Sequence, residues 1–363
     1  MQTDKSREKQ LGIFEERYRA ENMKSSVLSY PPRWVTIGIT GYCTNKCLFC
    51  SYHAKASGEK SKVYKIHYHM SFDFFKKTVD MCRKAYVPFV HVCGTGEPFL
   101  NPDALNMLDY AAQIYGQTSI QTNFHEDLFR RMDLVNQLIS REKSLRYVAT
   151  DFLSGESDEH NRIKQGSSFD FTMKCLSEIS EKSDIKLNIY YIITKYNYSS
   201  LSKLVSLLKQ NGIRNCVINV NNLMSYDFDS YTSSDSVYVS SDTLITDELK
   251  RAISVCHEAG YEIYCPQPAD INEKGCDVFW QKFQVWPVQG NDPARYQENI
   301  IPHACRAVVL GELNSLGYLG DYEDLMDAWN NEKIVKIRQN IIDGIYPDDE
   351  CRYCVYSHRS IYK

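Results

Sequence analysis

The sequence predicts an α/β fold built on a parallel sheet. From about residue 34, short β-rich runs alternate with longer segments whose apolar residues recur every three or four positions. Strand and helix repeated in this order require crossover connections, which join parallel strands. The chain has 363 residues, 43% of them apolar, which is ample for one large core with an appendage.

Six β-rich runs are the predicted strands of this sheet. They are residues 34–40, 88–94, 118–123, 145–152, 186–194 and 216–221. Amphipathic segments such as 71–85 and 199–212 predict the helices between them. A further helix (246–260) and strand (261–266) follow, and the Ser-, Tyr- and Asp-rich residues 224–245 are predicted to form a loop.

The alternation of strand and helix breaks down after residue 266. Residues 304–322 read as a hairpin with an Asn/Gly turn, and 322–344 as one helix leading to a Cys-x-x-Cys pair. We therefore expect an extension over 1–33, a main domain over 34–284 and a small α+β module over 285–363.

Charge and composition narrow the classes of partner. The net charge of -4 gives no indication of binding to nucleic acid or to an anionic membrane. No apolar run is long enough to cross a bilayer, so we expect a cytoplasmic protein. Thirteen cysteines, in a chain of this size, favour metal or cluster binding for those that are grouped. Isolated cysteines are expected to be buried apolar residues.

Three cysteines, Cys43, Cys47 and Cys50, follow the first predicted strand. Thiolates at this density favour a soft metal. A closed zinc site needs a fourth ligand, which His53 could supply. Three thiolates can instead hold three irons of a [4Fe–4S] cluster and leave the fourth iron open to another ligand.

The Cys-x3-Cys-x2-Cys spacing, with Phe49 before the third cysteine, resembles the radical S-adenosylmethionine (radical SAM) superfamily. The resemblance implies that S-adenosylmethionine (AdoMet) binds the open iron, and that the reduced cluster splits it to give a 5′-deoxyadenosyl radical. It also implies a partial (β/α)6 TIM-like barrel. Phe49 is then expected beside the cofactor.

A second motif, at the carboxyl end of the second predicted strand, resembles the GGEP segment of the same superfamily. It comprises Gly94, Thr95, Gly96 and Glu97, with Thr95 where the family commonly has glycine. Ligands of α/β sheets bind at this end of the strands. The resemblance implies that the segment binds the ammonium group of AdoMet; the alternative is a simple turn.

Weaker resemblances place further cofactor contacts at the ends of later strands. The residues concerned are Thr122, Asn123, Thr150, Asp151, Arg162 and Asn197. Each Asn or Thr could equally cap a helix.

A second group of three cysteines lies near the C-terminus: Cys305, Cys351 and Cys354. With the predicted hairpin and helix, it resembles the twitch form of the SPASM module, which implies one auxiliary [4Fe–4S] cluster. The fourth ligand expected in that pattern falls at Tyr322, flanked by Asp321 and Glu323. Either an oxygen atom of these residues completes the site, or the iron is open, or Cys265 or Cys276 fills it. Zinc is the alternative metal.

The resemblance implies a radical SAM oxidoreductase supplied by a one-electron donor such as flavodoxin or ferredoxin. An auxiliary cluster favours an oxidative outcome. We expect a small polar metabolite, such as a sugar, an aminocyclitol or a nucleotide-linked compound, as substrate. A maturase of a ribosomally made peptide is the alternative, and a structural zinc protein is the alternative of another class.

Overall fold

The computed structural model describes residues 4–50, 53, 68–223, 235, 243–265, 276–287, 293–301 and 316–346. The chain divides into two compact units, here called unit 1 and unit 2. Unit 1 comprises residues 1–42, 62–120 and 274–352, and unit 2 comprises residues 43–61, 121–273 and 353–363.

Nine strands occur in the described residues. In chain order they are β1 (Trp34–Gly38), β2 (Phe89–Cys93), β3 (Thr118–Gln121), β4 (Leu145–Phe152), β5 (Lys186–Ile193), β6 (Cys216–Asn222), β7 (Glu262–Tyr264), β8 (Lys282–Trp286) and β9 (Asn299–Ile301). The first six match the six predicted strands to within two residues at each end.

Twelve α-helices accompany them in the same part of the chain. They are α1 (Asp4–Glu21), α2 (Phe72–Lys84), α3 (Ala104–Tyr115), α4 (Glu126–Met132), α5 (Leu134–Ile139), α6 (Ser157–Ile163), α7 (Phe169–Lys182), α8 (Leu201–Gln210), α9 (Thr243–Ala259), α10 (Val278–Gln281), α11 (Leu325–Trp329) and α12 (Glu332–Ile342). None of the described helices is long and apolar enough to span a bilayer.

Unit 1 carries a sheet in the order β3-β2-β1-β8-β9. Strand β1 pairs in parallel with β2 on one side and with β8 on the other, and β9 is antiparallel to β8. Strand β8 lies in the region after residue 266 and before the predicted hairpin, where the sequence predicts no strand. Its five residues, KFQVW, are too few and too mixed in character for periodicity to identify them.

Unit 2 carries four parallel strands in the order β4-β5-β6-β7. Along β5, burial alternates at every residue: Leu187, Ile189 and Tyr191 are fully buried, whereas the residues between them are only half-buried. The sheet therefore has one apolar face and one polar face. In most parallel sheets both faces are covered, and the strands are apolar throughout.

The predicted helix over 322–344 is two helices. Helix α11 ends at Trp329 and α12 begins at Glu332. The side chain of Asn331 accepts a hydrogen bond from Ile334 N and so forms the N-cap of α12. The helical periodicity continues across this break, which is why the sequence predicts one helix.

Arg338 joins the N-terminal extension to the C-terminal helices within unit 1. Its side chain is fully buried and donates to the carbonyl oxygens of Ser26 (3.1 Å), Phe279 (2.8 Å) and Trp329 (3.0 Å). The guanidinium also lies 4.2 Å from the centre of the Trp329 ring. Burial lowers the pKa of Arg338 to about 9, so the group stays protonated at neutral pH. Residues before β1 are thus part of unit 1.

Candidate active site

The cysteine loop of residues 43–50 is held in unit 2 against the segment that follows α6. Lys46 N donates to Gln165 O (2.8 Å), and Leu48 N donates to Ile163 O (3.0 Å). Gly166 makes this approach possible: it has φ +90, and a Cβ there would lie 3.0 Å from Thr44 O. The 163–166 segment at the end of α6 therefore supports the loop.

None of the three cysteines of this loop is in a disulfide, and all three are half-buried. Within the described ranges, no three His, Cys, Asp or Glu side chains are already gathered as a metal-binding group. Burial, and then Cys50, raise the pKa of the Cys47 thiol above its usual value, whereas Lys164 lowers it. Binding must therefore displace a proton from Cys47.

Two observations fit a polar group bound at this loop. Asn45, between the first two cysteines, is 1% exposed, yet both polar atoms of its side chain have no hydrogen-bond partner. Thr44 Oγ1 is buried without a partner as well. Unpaired buried polar atoms are costly, and they are expected where an absent ligand completes the site. Three thiols and these polar atoms suit an iron–sulfur cluster.

The buried cation near this loop is Lys164. It is 1% exposed and donates from Nζ to Asp151 O at 3.0 Å. Arg162, the basic residue that the sequence suggested, is an exposed residue and lies 3.9 Å from Glu159. Both residues follow the same histidine, and only the turn at the end of α6 determines which of them is buried. The sequence has no pattern that distinguishes them.

The Gly94–Glu97 segment lies in unit 1, directly after β2. Ile39 N donates to Cys93 O, and Glu97 N donates to Tyr42 O, both at 2.8 Å. These hydrogen bonds hold the segment against residues 39–42, which directly precede Cys43 in the chain. A Cβ on Gly94 would lie 2.7 Å from Thr40 O, so no other residue type fits at this position without a shift.

Polar groups of this segment suit a bound cation. Glu97 is fully buried, and its Oε1 accepts from Phe99 N at 3.2 Å. Thr95 Oγ1 is buried and has no hydrogen-bond partner. A buried carboxylate needs compensating donors or a positive charge. Oxygen atoms of this kind can accept hydrogen bonds from an ammonium group, whose binding here stays a prediction. Thr95 brings a hydroxyl where the family motif commonly has glycine.

The end of β3 places Thr122 and Asn123 in a tight turn of unit 2. Thr122 N donates to Ala149 O (2.9 Å), and its Oγ1 accepts from Phe124 N (3.3 Å). Phe124 has φ +52, which is uncommon for residues other than glycine. Asn123 Nδ2 lies 3.6 Å from Cys43 Sγ.

The remaining predicted cofactor contacts, which are Thr150, Asp151, Asn197 and Phe49, differ in burial and in hydrogen bonding. Thr150 is fully buried on the apolar face of the unit 2 sheet, whereas its neighbour Asp151 lies on the polar face. Asn197 is also buried: its Oδ1 accepts from Thr194 N, and its Nδ2 donates to Leu153 O and Ile192 O. The side-chain amide of Asn197 thus stabilises the turn after β5 through these hydrogen bonds. A cofactor role for Asn197 stays a prediction. Phe49 is half-buried in the cysteine loop.

One row of polar residues crosses the polar face of the unit 2 sheet. We call it the polar row; its members lie side by side on β4, β5, β6 and β7, and they are Asp151, Tyr190, Asn219 and Tyr264. Gln121 Nε2 lies 3.3 Å from both carboxylate oxygens of Asp151. Asn219 Nδ2 donates to Asn188 Oδ1 at 2.5 Å. The row combines phenol, amide and carboxylate groups.

The C-terminal ligand prediction is only partly within the described residues. Cys305, Cys351 and Cys354 lie outside them, so the second cysteine group stays a prediction. Asp321 forms an ion pair of 2.7 Å with Arg295. Tyr322 places its phenol against Gly317, where a Cβ would lie 3.3 Å from the hydroxyl. Of the two predicted oxygen ligands, Asp321 is therefore already paired with a cation, Arg295.

Acid is expected to destabilise unit 2 through His160. This side chain is fully buried, and its Nδ1 accepts from Leu153 N at 3.2 Å, so the ring must be neutral. Burial, and then Lys164, lower the pKa of His160 to about 3. Between about pH 6.5 and 3 the unfolded chain therefore binds a proton that the folded chain excludes, and stability falls as the pH falls. We expect a loss of up to about 1.4 kcal/mol per pH unit from this group.

Urea unfolding at pH 7, 6 and 5 measures this slope. The variant His160→Phe should be less stable at pH 7 and should show a shallower decline with pH. His257→Phe, on α9, is the control and should keep the wild-type slope. An unchanged slope in His160→Phe would show that the acid sensitivity has another source.

A comparison with known protein families identifies the superfamily of this chain. The family model described as the radical SAM superfamily matches residues 37–220. The chain belongs to the radical SAM superfamily. Membership of this superfamily implies a [4Fe–4S] cluster that binds together with AdoMet.

Named relatives of this radical SAM protein are distant. It is 24% identical over 188 residues to the mycofactocin maturase MftC of Mycobacterium tuberculosis; the match spans 50% of this chain and 43% of the relative's length. The chain thus covers less than half of that curated relative.

Solved structures with the same fold confirm the predicted α/β class of mostly parallel strands. Streptococcus suis SuiB bound to AdoMet matches with a TM-score of 0.62 and 16% identity, over 91% of this chain and 71% of SuiB. SuiB has also been solved with its precursor peptide SuiA. Native anSMEcpe with bound AdoMet matches with a TM-score of 0.58 and 14% identity, over 84% of this chain and 83% of that protein.

Proposed function

We propose that this radical SAM enzyme cleaves AdoMet reductively at the loop of Cys43, Cys47 and Cys50 and oxidises a peptide substrate by removal of hydrogen. The observation that carries the proposal is the set of three thiols on one supported loop, on which the polar atoms of the Asn45 side chain are buried and unpaired. When bound, the cluster and AdoMet supply a 5′-deoxyadenosyl radical that can abstract hydrogen from an unactivated C–H bond.

The chain's own residues have positioning roles in this proposal. The three thiolates hold the cluster, and the 163–166 segment keeps their loop in place. Glu97 provides the negative charge that favours the ammonium group of AdoMet, and Gly94 allows the backbone to approach closely. Asp151 is the acceptor proposed for the ribose hydroxyl groups. Such fixed groups act mainly by orienting the reacting atoms and excluding water.

The oxidative outcome rests on the proposed auxiliary cluster at Cys305, Cys351 and Cys354. Because Asp321 is paired with Arg295, Tyr322 is the better candidate for the fourth ligand, or that position is open. The phenol of Tyr322 has a raised pKa through burial, and then through Asp321. An auxiliary cluster can accept the electron that remains after hydrogen abstraction. A one-electron donor such as flavodoxin or ferredoxin would reduce the first cluster.

The substrate class is proposed from relatives and from the polar row. MftC is named a maturase, and SuiB has been solved with a precursor peptide; both facts favour a peptide over the small metabolite that the sequence suggested. The polar row supports this choice. The bond between Asn219 and Asn188 leaves further donor and acceptor capacity on both amides, which suits the N–H and C=O groups of a peptide bond.

The substrate proposal predicts a loss of two hydrogen atoms from a peptide. Short peptides encoded beside the gene would be incubated anaerobically with reconstituted protein, AdoMet and dithionite, and analysed by mass spectrometry. We expect Asn219→Leu to lower peptide turnover at least tenfold. Asn106→Leu, the same change on the exposed surface of α3, is the control and should match wild type. Turnover of a sugar or nucleotide but no peptide would contradict the proposal.

A further inference from the structure

Cys43 Sγ accepts two N–H hydrogen bonds in the described structure. One comes from the backbone N of Asn45 (3.4 Å), which lies in the same loop. The other comes from Asn123 Nδ2 (3.6 Å), which is 80 residues away in the sequence. Sulfur acceptors tolerate such lengths, because the sulfur atom is larger than oxygen. The proposed cluster ligand Cys43 is thus contacted by a side chain from the turn that follows β3.

Asn123 is held rigidly where it makes this contact. Thr122 before it is fixed to Ala149 O of β4, and Phe124 after it is fully buried. The Phe124 ring packs on Phe129 with 4.8 Å between the ring centres. Both neighbours are anchored, so the amide of Asn123 keeps its position when the loop binds a ligand. A preorganised donor of this kind is more effective than one that must reorient.

We propose that Asn123 sets the reduction potential of the cluster at Cys43, Cys47 and Cys50 by donating a hydrogen bond to the Cys43 thiolate. This inference rests on the proposed function of the loop as a cluster site. Reduction adds one electron from an external one-electron donor, so the reduced cluster carries more negative charge. An N–H donor to a ligand sulfur stabilises that charge, and it thereby raises the potential. Asn123 acts through Cys43 and is a positioning residue.

Two variants of Asn123 separate the effects of hydrogen bonding and charge. Asn123→Leu removes the donor and keeps a similar volume. Asn123→Asp keeps the shape and replaces the donor with a negative charge. The midpoint potential should therefore fall in Asn123→Leu and fall further in Asn123→Asp. Asn136→Leu, an exposed asparagine on α5 bonded to Asp133, is the matched control and should keep the wild-type potential.

The measurement is a redox titration with dithionite and mediators under argon, followed by the electron paramagnetic resonance signal of the reduced cluster. Resonance Raman spectra give a second readout, because loss of the N–H donor should shift the Fe–S stretching frequencies. If Asn123→Leu does not take up iron, the midpoint potential of the nearly isosteric Asn123→Asp variant is the deciding measurement. Potentials equal to wild type in a variant that holds iron would overturn the inference. Wild-type protein without iron at the loop would overturn the proposed function instead.

Discussion

Replacing any one of Cys43, Cys47 and Cys50 with alanine is expected to abolish release of 5′-deoxyadenosine from AdoMet. Two thiolates on one short loop cannot hold three irons, so the cluster is lost or becomes unstable. Iron bound per chain should fall by the iron content of one cluster, about four atoms. Metal analysis and chromatography of the nucleoside product measure both effects.

The control for the cysteine variants is Cys175→Ala on α7. Cys175 is 2% exposed and free, so the same substitution there removes a buried thiol outside the loop. It should lower stability modestly and leave iron content and AdoMet cleavage at wild-type levels. Full cleavage activity in any of the three loop variants would contradict the assignment of the first cluster.

The variant Gly94→Ala should weaken AdoMet binding at least tenfold. Its new Cβ would lie 2.7 Å from the carbonyl oxygen of Thr40, so the two segments that follow β1 and β2 must separate. The hydrogen bond between Glu97 N and Tyr42 O would be strained by that shift. Overpacking of this kind typically costs about 1–3 kcal/mol of folding stability. Calorimetric titration with AdoMet and thermal unfolding measure the two consequences.

A matched substitution tests whether close packing at Gly94 is the cause. Gly12 on α1 has no atom within 4 Å of the position that its Cβ would take. Gly12→Ala should therefore keep wild-type AdoMet affinity, and it should raise helix stability by about 1 kcal/mol or less. Equal AdoMet affinities in Gly94→Ala and wild type would show that this segment does not approach the cofactor.

The sequence predicts the features that depend on local pattern. The long strands β4 and β5 consist of residues with strong β propensity, and their predicted ends agree with the observed ends to within one residue. The isolated cysteines Cys82, Cys93, Cys175, Cys216, Cys256, Cys265 and Cys276 are all buried, as expected of small apolar side chains. The spacing of the loop cysteines also led directly to the superfamily that the family model confirms.

Features that depend on tertiary contacts could not be predicted in this way. Strand β8 is defined by its pairing with β1, and the break between α11 and α12 is defined by the cap at Asn331. The burial of Lys164 in place of Arg162 depends on where α6 ends. The contact between Asn123 and Cys43 joins residues far apart in sequence, so no local motif indicates it.

The central claim is that this chain binds a redox-active [4Fe–4S] cluster at Cys43, Cys47 and Cys50 and uses it to cleave AdoMet. Its most direct test is to reconstitute the protein anaerobically, add AdoMet and dithionite, and quantify products by mass spectrometry. We predict iron-loaded protein that forms 5′-deoxyadenosine and methionine in equal amounts. Colourless, zinc-loaded protein that takes up no iron and forms neither product would contradict the claim and support a structural zinc site.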